Sequence, residues 1–451
     1  MSFRILSLDG GGSWSLLQIM TLIDLYRSGG ALLTGHDVLR DFDLAVASGS
    51  GSLVLGGLVK NLPLSEIRKI FEDAALERSL FARRPARPRQ PVEFGARLLR
   101  HLTGIGPRYS ARAKLDGLRQ LLNGEPGEPG IGDVTLDALK TRIDLPTEIM
   151  IAAFDYDRGG EVLFRSNTAS RAGDFGAPAI ATLAEAIHAA TTTPLAFVDA
   201  PAQISRGRRC WDGGLAGGNN PVLAAIAEAL ANGVAPQAIE VLSIGTGRVA
   251  LPMASGNEDA ATAKLVRQRL PASELGDLRK LAELVDDPPD TASLIAYLAL
   301  GHAVPRDGAQ PITEGRLVRL NPLLQPIRVA HGWARPAGLI EAEAGEDEFV
   351  RLRELAIDAV AADEIALIGK FAALWHGNAV VNQPIRANAD TLDCEIGQRW
   401  YSEAKAQWLS LTGERAEAPA ATINGGPPPG PAAGATAWSV TAPRHSGAKI
   451  S

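Results

Sequence analysis

Arg4-Ile5-Leu6-Ser7-Leu8 is a short apolar run that stops at Asp9-Gly10-Gly11-Gly12, and Leu16, Leu17, Ile19, Met20, Leu22, Ile23 and Leu25 follow at helical spacing. This pattern predicts a buried strand, a tight turn and a helix. Three residues without side chains at a helix start leave backbone N–H groups bare and aimed one way. Such a nest attracts a negative charge, either a phosphate or the oxyanion of an acyl-transfer transition state. A second unit repeats the pattern. Phe42 to Ala47 is apolar, Ser48-Gly49-Ser50-Gly51-Ser52 makes a sharp turn, and Leu53, Val54, Leu55, Leu58 and Val59 begin another helix. Two successive strand–turn–helix units predict an α/β fold with a mainly parallel sheet covered by helices.

Farther along, Glu148 to Asp155 and Glu161 to Ser166 read as a hairpin, and Thr182 to Ala190 as a helix carrying His188. Arg209 to Trp211 leads into Asp212-Gly213-Gly214. Asn219-Asn220-Pro221 opens a helix over Val222 to Leu230, with Asn as cap and Pro in the first turn. Ile239 to Ile244 is a strand ending in Gly245-Thr246-Gly247. Glycine loops thus collect at one edge of the sheet, where open α/β sheets bind ligands. Helical patterns recur over Leu98 to Leu122, Leu275 to Leu284, Ala292 to Leu300 and, with a break, Glu348 to Leu374. From Arg415 the chain is mostly Ala, Gly and Pro, too poor in apolar bulk to fold alone.

Charge and length narrow the function. Forty-five basic against 51 acidic residues leave a formal net charge of −6, which argues against a general nucleic-acid binder. No apolar run approaches the roughly 20 residues of a membrane span. Cys210 and Cys394, the only two cysteines, offer neither metal-ligand spacing nor a disulfide framework, so a cytoplasmic protein with no metal is expected. Phe81 to Pro91 is basic and proline-rich (Arg83, Arg84, Arg87, Arg89). It reads as a solvated loop or as a peripheral contact with anionic lipid headgroups. Gly10-Gly11-Gly12 lacks the full Gly-x-Gly-x-x-Gly of a dinucleotide turn, because position 15 is serine, and it lacks a Walker lysine.

Four separated pieces carry a resemblance. They are Asp9-Gly10-Gly11-Gly12, the Ser/Gly turn after Phe42-Asp43-Leu44, Asp212-Gly213-Gly214 with Asn219-Asn220-Pro221, and Ser243-Ile244-Gly245-Thr246-Gly247. In this order they resemble the patatin-like phospholipases. Thr191 to Pro194 and Tyr109-Ser110-Ala111-Arg112 look like further family segments. The resemblance implies a three-layer α/β/α fold with C-terminal helices, and hydrolysis of fatty-acyl esters by a Ser–Asp dyad without metal or cofactor. It implies Asp212 as the base and Gly10, Gly11 and Gly12 as oxyanion donors, with Asp9, Gly51, Gly213 and Gly214 completing the motifs. The expected divisions are a hydrolase domain over 1–330, a helical extension packed on it over 331–414, and a flexible tail over 415–451.

The chain departs from the family at the decisive position. The family elbow reads Gly-x-Ser-x-Gly, and aligning Phe42-Asp43-Leu44 upstream with Leu53 downstream puts Gly49 where the nucleophile belongs. Ser48 and Ser50 flank it. A helix turns roughly 100° per residue, so Ser50 aims its hydroxyl elsewhere. It remains the candidate substitute, with Ser48 behind it. The expectation is an acyl hydrolase crippled at its nucleophile; the alternative is a catalytically dead fold that binds lipid or a partner. The first loop departs too, with Trp14 and Ser15 where the family has arginine and glycine. Trp14 reads as packing at the helix start or as an apolar wall. His188 reads as a core or surface residue, and Cys210 as a small buried apolar one.

Overall fold

The structure is a computed structural model. It describes residues 2–26, 33–72, 109–124, 130–172, 180–194, 197–268, 291–307, 310–330, 332–341, 347–388 and 391–416. The basic stretch Arg83 to Arg89, the pattern over Leu275 to Leu284 and the tail from 417 lie outside the described residues.

The sheet is built from β1 (Phe3–Leu8), β2 (Leu44–Ser48), β3 (Glu148–Asp155), β4 (Gly160–Arg165), β5 (Ala202–Ile204), β6 (Arg208–Asp212), β7 (Ile239–Ile244) and β8 (Leu317–Leu320). Its order is β5-β6-β3-β2-β1-β7-β8, with β4 also paired to β3. The central strands β3, β2, β1, β7 and β8 run parallel, while β4 and β6 join β3 antiparallel. Strands buried on both faces need unbroken apolar sequence, and every residue of β2 is buried. Two apolar clusters flank the sheet. One takes Leu6, Leu8, Ala45 and Ala47 with α1 (Leu16–Leu25), α2 (Gly51–Val59) and α4 (Leu183–Ala190); the other takes Ile5, Leu44 and Val46 with α5 (Val222–Ala231) and α6 (Ala292–Ala299). Neighbouring strand residues point to opposite faces, which is why alternate side chains divide between the two layers. The architecture is the expected three-layer α/β/α.

The later chain returns to this body. The helical pattern over Glu348 to Leu374 breaks into α7 (Glu348–Glu354) and α8 (Ala362–His376), and α9 (Tyr401–Ala416) follows. Trp14 meets Phe371 of α8 edge-on with ring centroids 6.2 Å apart, so it packs at the helix start. Trp408 of α9 stacks on Phe42 at 5.7 Å. Pro221 occupies the N-cap of α5, one residue later in role than the expected Asn cap. Asn220 still serves that terminus, since its Oδ1 accepts from Val222 N at 3.2 Å. Strand β8 had no clear signal in the sequence. Its Arg319 is 2% exposed and interrupts an otherwise apolar run.

Candidate active site

The site forms where two strands share one edge of β3. Strand β2 pairs with Glu148 to Ala152, ending at Ser48 opposite Ala152. On the same edge β6 arrives from the other direction and ends at Asp212 opposite Ala153. The edge assignment is forced, because β4 occupies the other edge along the whole of this stretch. Two strands that meet end to end bring Ser48-Gly49 and Asp212 together, although 163 positions separate Gly49 from Asp212 in the numbering.

Gly49 has φ +48°, the left-handed region that glycine enters freely. A Cβ built there would lie 3.6 Å from Asp212 Oδ1, 3.7 Å from Oδ2 and 2.8 Å from Gly10 Cα. The turn therefore places residue 49 against both the carboxylate and the first glycine loop. Gly10 is needed for this approach, since a Cβ on it would sit 3.2 Å from Gly49 Cα and 2.6 Å from Asn219 Oδ1. Gly11 is needed because the Thr246 side chain fills the space beside it, with Oγ1 only 2.1 Å from the position of a Cβ. Thr246 Oγ1 also donates to the Gly10 carbonyl at 2.6 Å, tying the loop after β7 to the loop after β1.

Asp212 closes β6 and caps the short 3-10 turn Gly213–Ala216. Gly214 N–H donates to its Oδ1 at 2.9 Å, and Thr193 Oγ1 donates to its Oδ2 at 2.9 Å. These bonds fix the carboxylate plane. Crowding by protein raises its pKa above the usual carboxylate range, and the Gly214 and Thr193 bonds, then the Lys114 charge, pull it back. A carboxylate with a raised pKa and a fixed orientation is suited to take a proton. Gly213 matters for space, because a Cβ on it would lie 2.8 Å from the Ala152 carbonyl and 2.9 Å from Ser48 Oγ.

The three glycine N–H groups are not equivalent. Gly10 N–H donates to the Asn219 carbonyl at 3.0 Å, and Gly11 N–H donates to Ser50 Oγ at 3.1 Å. Gly12 N–H makes no hydrogen bond among the described residues. The expectation that all three stand ready for an oxyanion thus needs correction. Gly10 is committed to holding the Asn219 loop, Gly11 is occupied by Ser50, and Gly12 alone is unengaged. Gly12 has φ +63°, and Ile357 lies over it so closely that a Cβ would fall 1.7 Å from the Ile357 carbonyl oxygen. Ser13 N–H donates to that same oxygen at 2.7 Å.

The two flanking serines are otherwise engaged or badly placed. Ser50 is 5% exposed, and its Oγ lies 2.6 Å from Ser15 Oγ as well as on Gly11 N–H. Ser48 is fully buried, and its Oγ has no hydrogen-bond partner among the described residues. Ser15, the departure from the family glycine, is thus what holds Ser50 in place. Asp9, the acid of the first motif, forms a buried pair: Arg319 Nη1 donates to Oδ1 at 3.0 Å and Nη2 to Oδ2 at 2.5 Å. It braces the base of the loop. His188 is 2% exposed, and burial holds its imidazole well below the usual range, so it is a neutral core residue. Cys210 is fully buried. Among the described residues no group of His, Cys, Asp and Glu could hold a metal ion, and no helix is long and apolar enough to cross a membrane.

Sequence reasoning missed Arg319 and Lys114, and it named Thr246 only as part of the Gly245-Thr246-Gly247 loop, with no role of its own. Lys114 left a trace: it falls at helical spacing between Ala111 and Leu118 in an otherwise apolar stripe.

The α/β sheet thus brings a glycine loop, a left-handed turn and an oriented aspartate to one rim. Residues 6–226 match the family model described as patatin-like phospholipase, and the chain belongs to that family over this segment. The family consists of lipid acyl hydrolases. No curated protein matches the sequence. Among solved structures, VipD from Legionella pneumophila is 11% identical, with 82% of this chain and 67% of that one covered at a TM-score of 0.32. The type III effector protein ExoU is also 11% identical, with 82% of this chain and 53% of that one covered at a TM-score of 0.24. The chain thus spans about half the length of ExoU. Similarity at this level bears on neither the site nor the activity.

Proposed function

We propose that this chain carries the acyl-ester hydrolase site of its family, built for a Ser–Asp dyad and lacking the attacking hydroxyl. The observation that carries the reading is the position of Gly49, whose missing Cβ would lie 3.6 and 3.7 Å from the two Asp212 oxygens. A serine there would hand its proton to Asp212, attack the acyl carbonyl, release the alcohol and leave an acyl-enzyme for water to cleave. Gly12 N–H would receive the developing oxyanion, joined by Gly11 if Ser50 swings away.

With glycine at residue 49 that first step has no nucleophile. Losing such a residue costs several powers of ten in rate. Ser50 does not replace it in this reading, because Ser15 and Gly11 hold its oxygen. As it stands the chain binds acyl lipid, or a partner in its place, with little or no turnover. The proposed setting is cytoplasmic, at membrane surfaces met through Arg83 to Arg89. Residues 331–414 act as an extension of the 1–330 domain, a division supported by the Trp14–Phe371 and Ser13–Ile357 contacts. The test is to restore the hydroxyl as Gly49→Ser and assay fatty-acyl ester hydrolysis. Activity that vanishes on a further Asp212→Asn change is expected; a folded Gly49→Ser protein without activity overturns the reading.

A further inference from the structure

One buried cation near Asp212 has no part in the chemistry above. Lys114 lies on α3 (Ala111–Asn123) and is 2% exposed, in a stripe with Ala111, Leu118 and Leu122. Its Nζ donates to Thr192 Oγ1 at 2.9 Å. Thr192 is fully buried, and its carbonyl accepts the Asp212 N–H at 2.9 Å. The next residue, Thr193, donates its hydroxyl to Asp212 Oδ2 at 2.9 Å. From a separate helix, Lys114 therefore grips the two-residue segment that grips Asp212 by backbone and by side chain.

We propose that Lys114 is a positioning residue for Asp212: its buried ammonium keeps the carboxylate charged, and its bond to Thr192 fixes the segment that aims it. The inference rests on the reading of Asp212 as the general base. Charge and donor pattern agree with it. Thr192 Oγ1 donates to the His188 carbonyl, so its lone pairs face Lys114 as acceptors. Burial pushes the Lys114 ammonium down to about 7, and the Asp212 charge is what draws it up. Conversely Lys114 is the cation that counters the burial of Asp212. The other titratable groups acting here are His188, held neutral by burial, and Arg119, which presses on His188 from α3. An unpaired charge of either sign would cost much more in such surroundings than the pair does.

The experiment uses the whole chain with its natural Gly49. Aspartate carboxyl carbons are labelled with ¹³C and the Asp212 titration is followed by NMR in the unaltered protein, Lys114→Gln and Lys114→Met. Both variants remove the charge, while Gln can keep a donor on Thr192. The Asp212 midpoint is expected to rise by about one pH unit in both, as for a carboxylate that loses a nearby cation. An unmoved midpoint in both, with any loss confined to stability, overturns the proposal. Should neither variant fold, Asp212→Asn gives the reciprocal reading on ¹⁵N-labelled Lys114. Its midpoint falls if the two charges are coupled, and an unchanged midpoint overturns the proposal. In the Gly49→Ser protein, Lys114→Gln should move the acid limb of kcat/KM to higher pH. A silent Gly49→Ser protein refutes the hydrolase reading alone, because the titrations still decide the role of Lys114.

Discussion

On the function proposed above, replacing Gly49 by serine supplies the attacking hydroxyl, and the structure sets both its gain and its cost. The new Cβ stands 3.6 and 3.7 Å from the Asp212 oxygens. In the rotamer that faces Asp212 the hydroxyl lies one bond closer, within the roughly 2.6–3.2 Å that proton transfer needs. The cost has two sources. Residue 49 sits at φ +48°, where a side chain costs about 1–2 kcal/mol, and the Cβ would press on Gly10 Cα at 2.8 Å. Together these amount to about 1–3 kcal/mol of strain, typical of a residue held in a rarely populated conformation at a working site. Gly49→Ser should therefore melt a few degrees lower while gaining about 10³- to 10⁶-fold in hydrolysis of fatty-acyl esters. The assay pairs a chromogenic acyl ester with labelling by a serine-directed phosphonate, read by mass spectrometry on residue 49. A variant that is folded, slightly destabilised and unlabelled would refute the reasoning. Labelling of the unaltered chain at Ser50 would refute it as well, since the structure holds that oxygen on Gly11 and Ser15.

Three further outcomes follow from the same geometry. Arg319→Met leaves Asp9 buried without its bidentate partner and should cost about 3–5 kcal/mol in denaturant unfolding. Gly12→Ala puts a Cβ 1.7 Å from the Ile357 carbonyl at a residue with φ +63°; it should cost more than about 2 kcal/mol and expose residues near Ile357 to proteolysis. Asp212→Asn made in the Lys114→Met background, where no buried cation is left unpaired, should raise the melting temperature at neutral pH relative to Lys114→Met alone. The pKa of Asp212 is raised in the folded chain, so its contribution to stability is present in acid and is lost as pH rises through the folded-state value. Asparagine titrates nowhere in that window, so its advantage should appear as pH rises and disappear in acid; an equal advantage at all pH values would contradict the assignment.

Much of the fold was legible because its signals are local. The apolar run before Asp9, the glycines after it and the amphipathic spacing from Leu16 act over a few residues, and backbone sterics and burial decide them at short range. The same holds for the Thr182 cap of α4, whose side chain accepts from Glu185 N at 3.2 Å. The motif spacing is also what puts Gly49 forward as the proposed nucleophile position, since an elbow is defined by its neighbours. Strand β8 and Arg319 left no comparable mark. A buried arginine looks like a surface charge until the acid that neutralises it, 310 positions away, is placed.

The sequence by itself determined the layered α/β class, the rim of glycine loops and the absence of a serine at residue 49. Only the tertiary structure decided which groups meet at that rim. It set Asp212 against Gly49 by ending β2 and β6 on one edge of β3. It assigned Gly10 N–H to Asn219 and Gly11 N–H to Ser50, and it brought Lys114 to Thr192. Hydrogen bonds and charges of this kind depend on distance and burial, and these are properties of the packed chain that no local pattern of residues encodes.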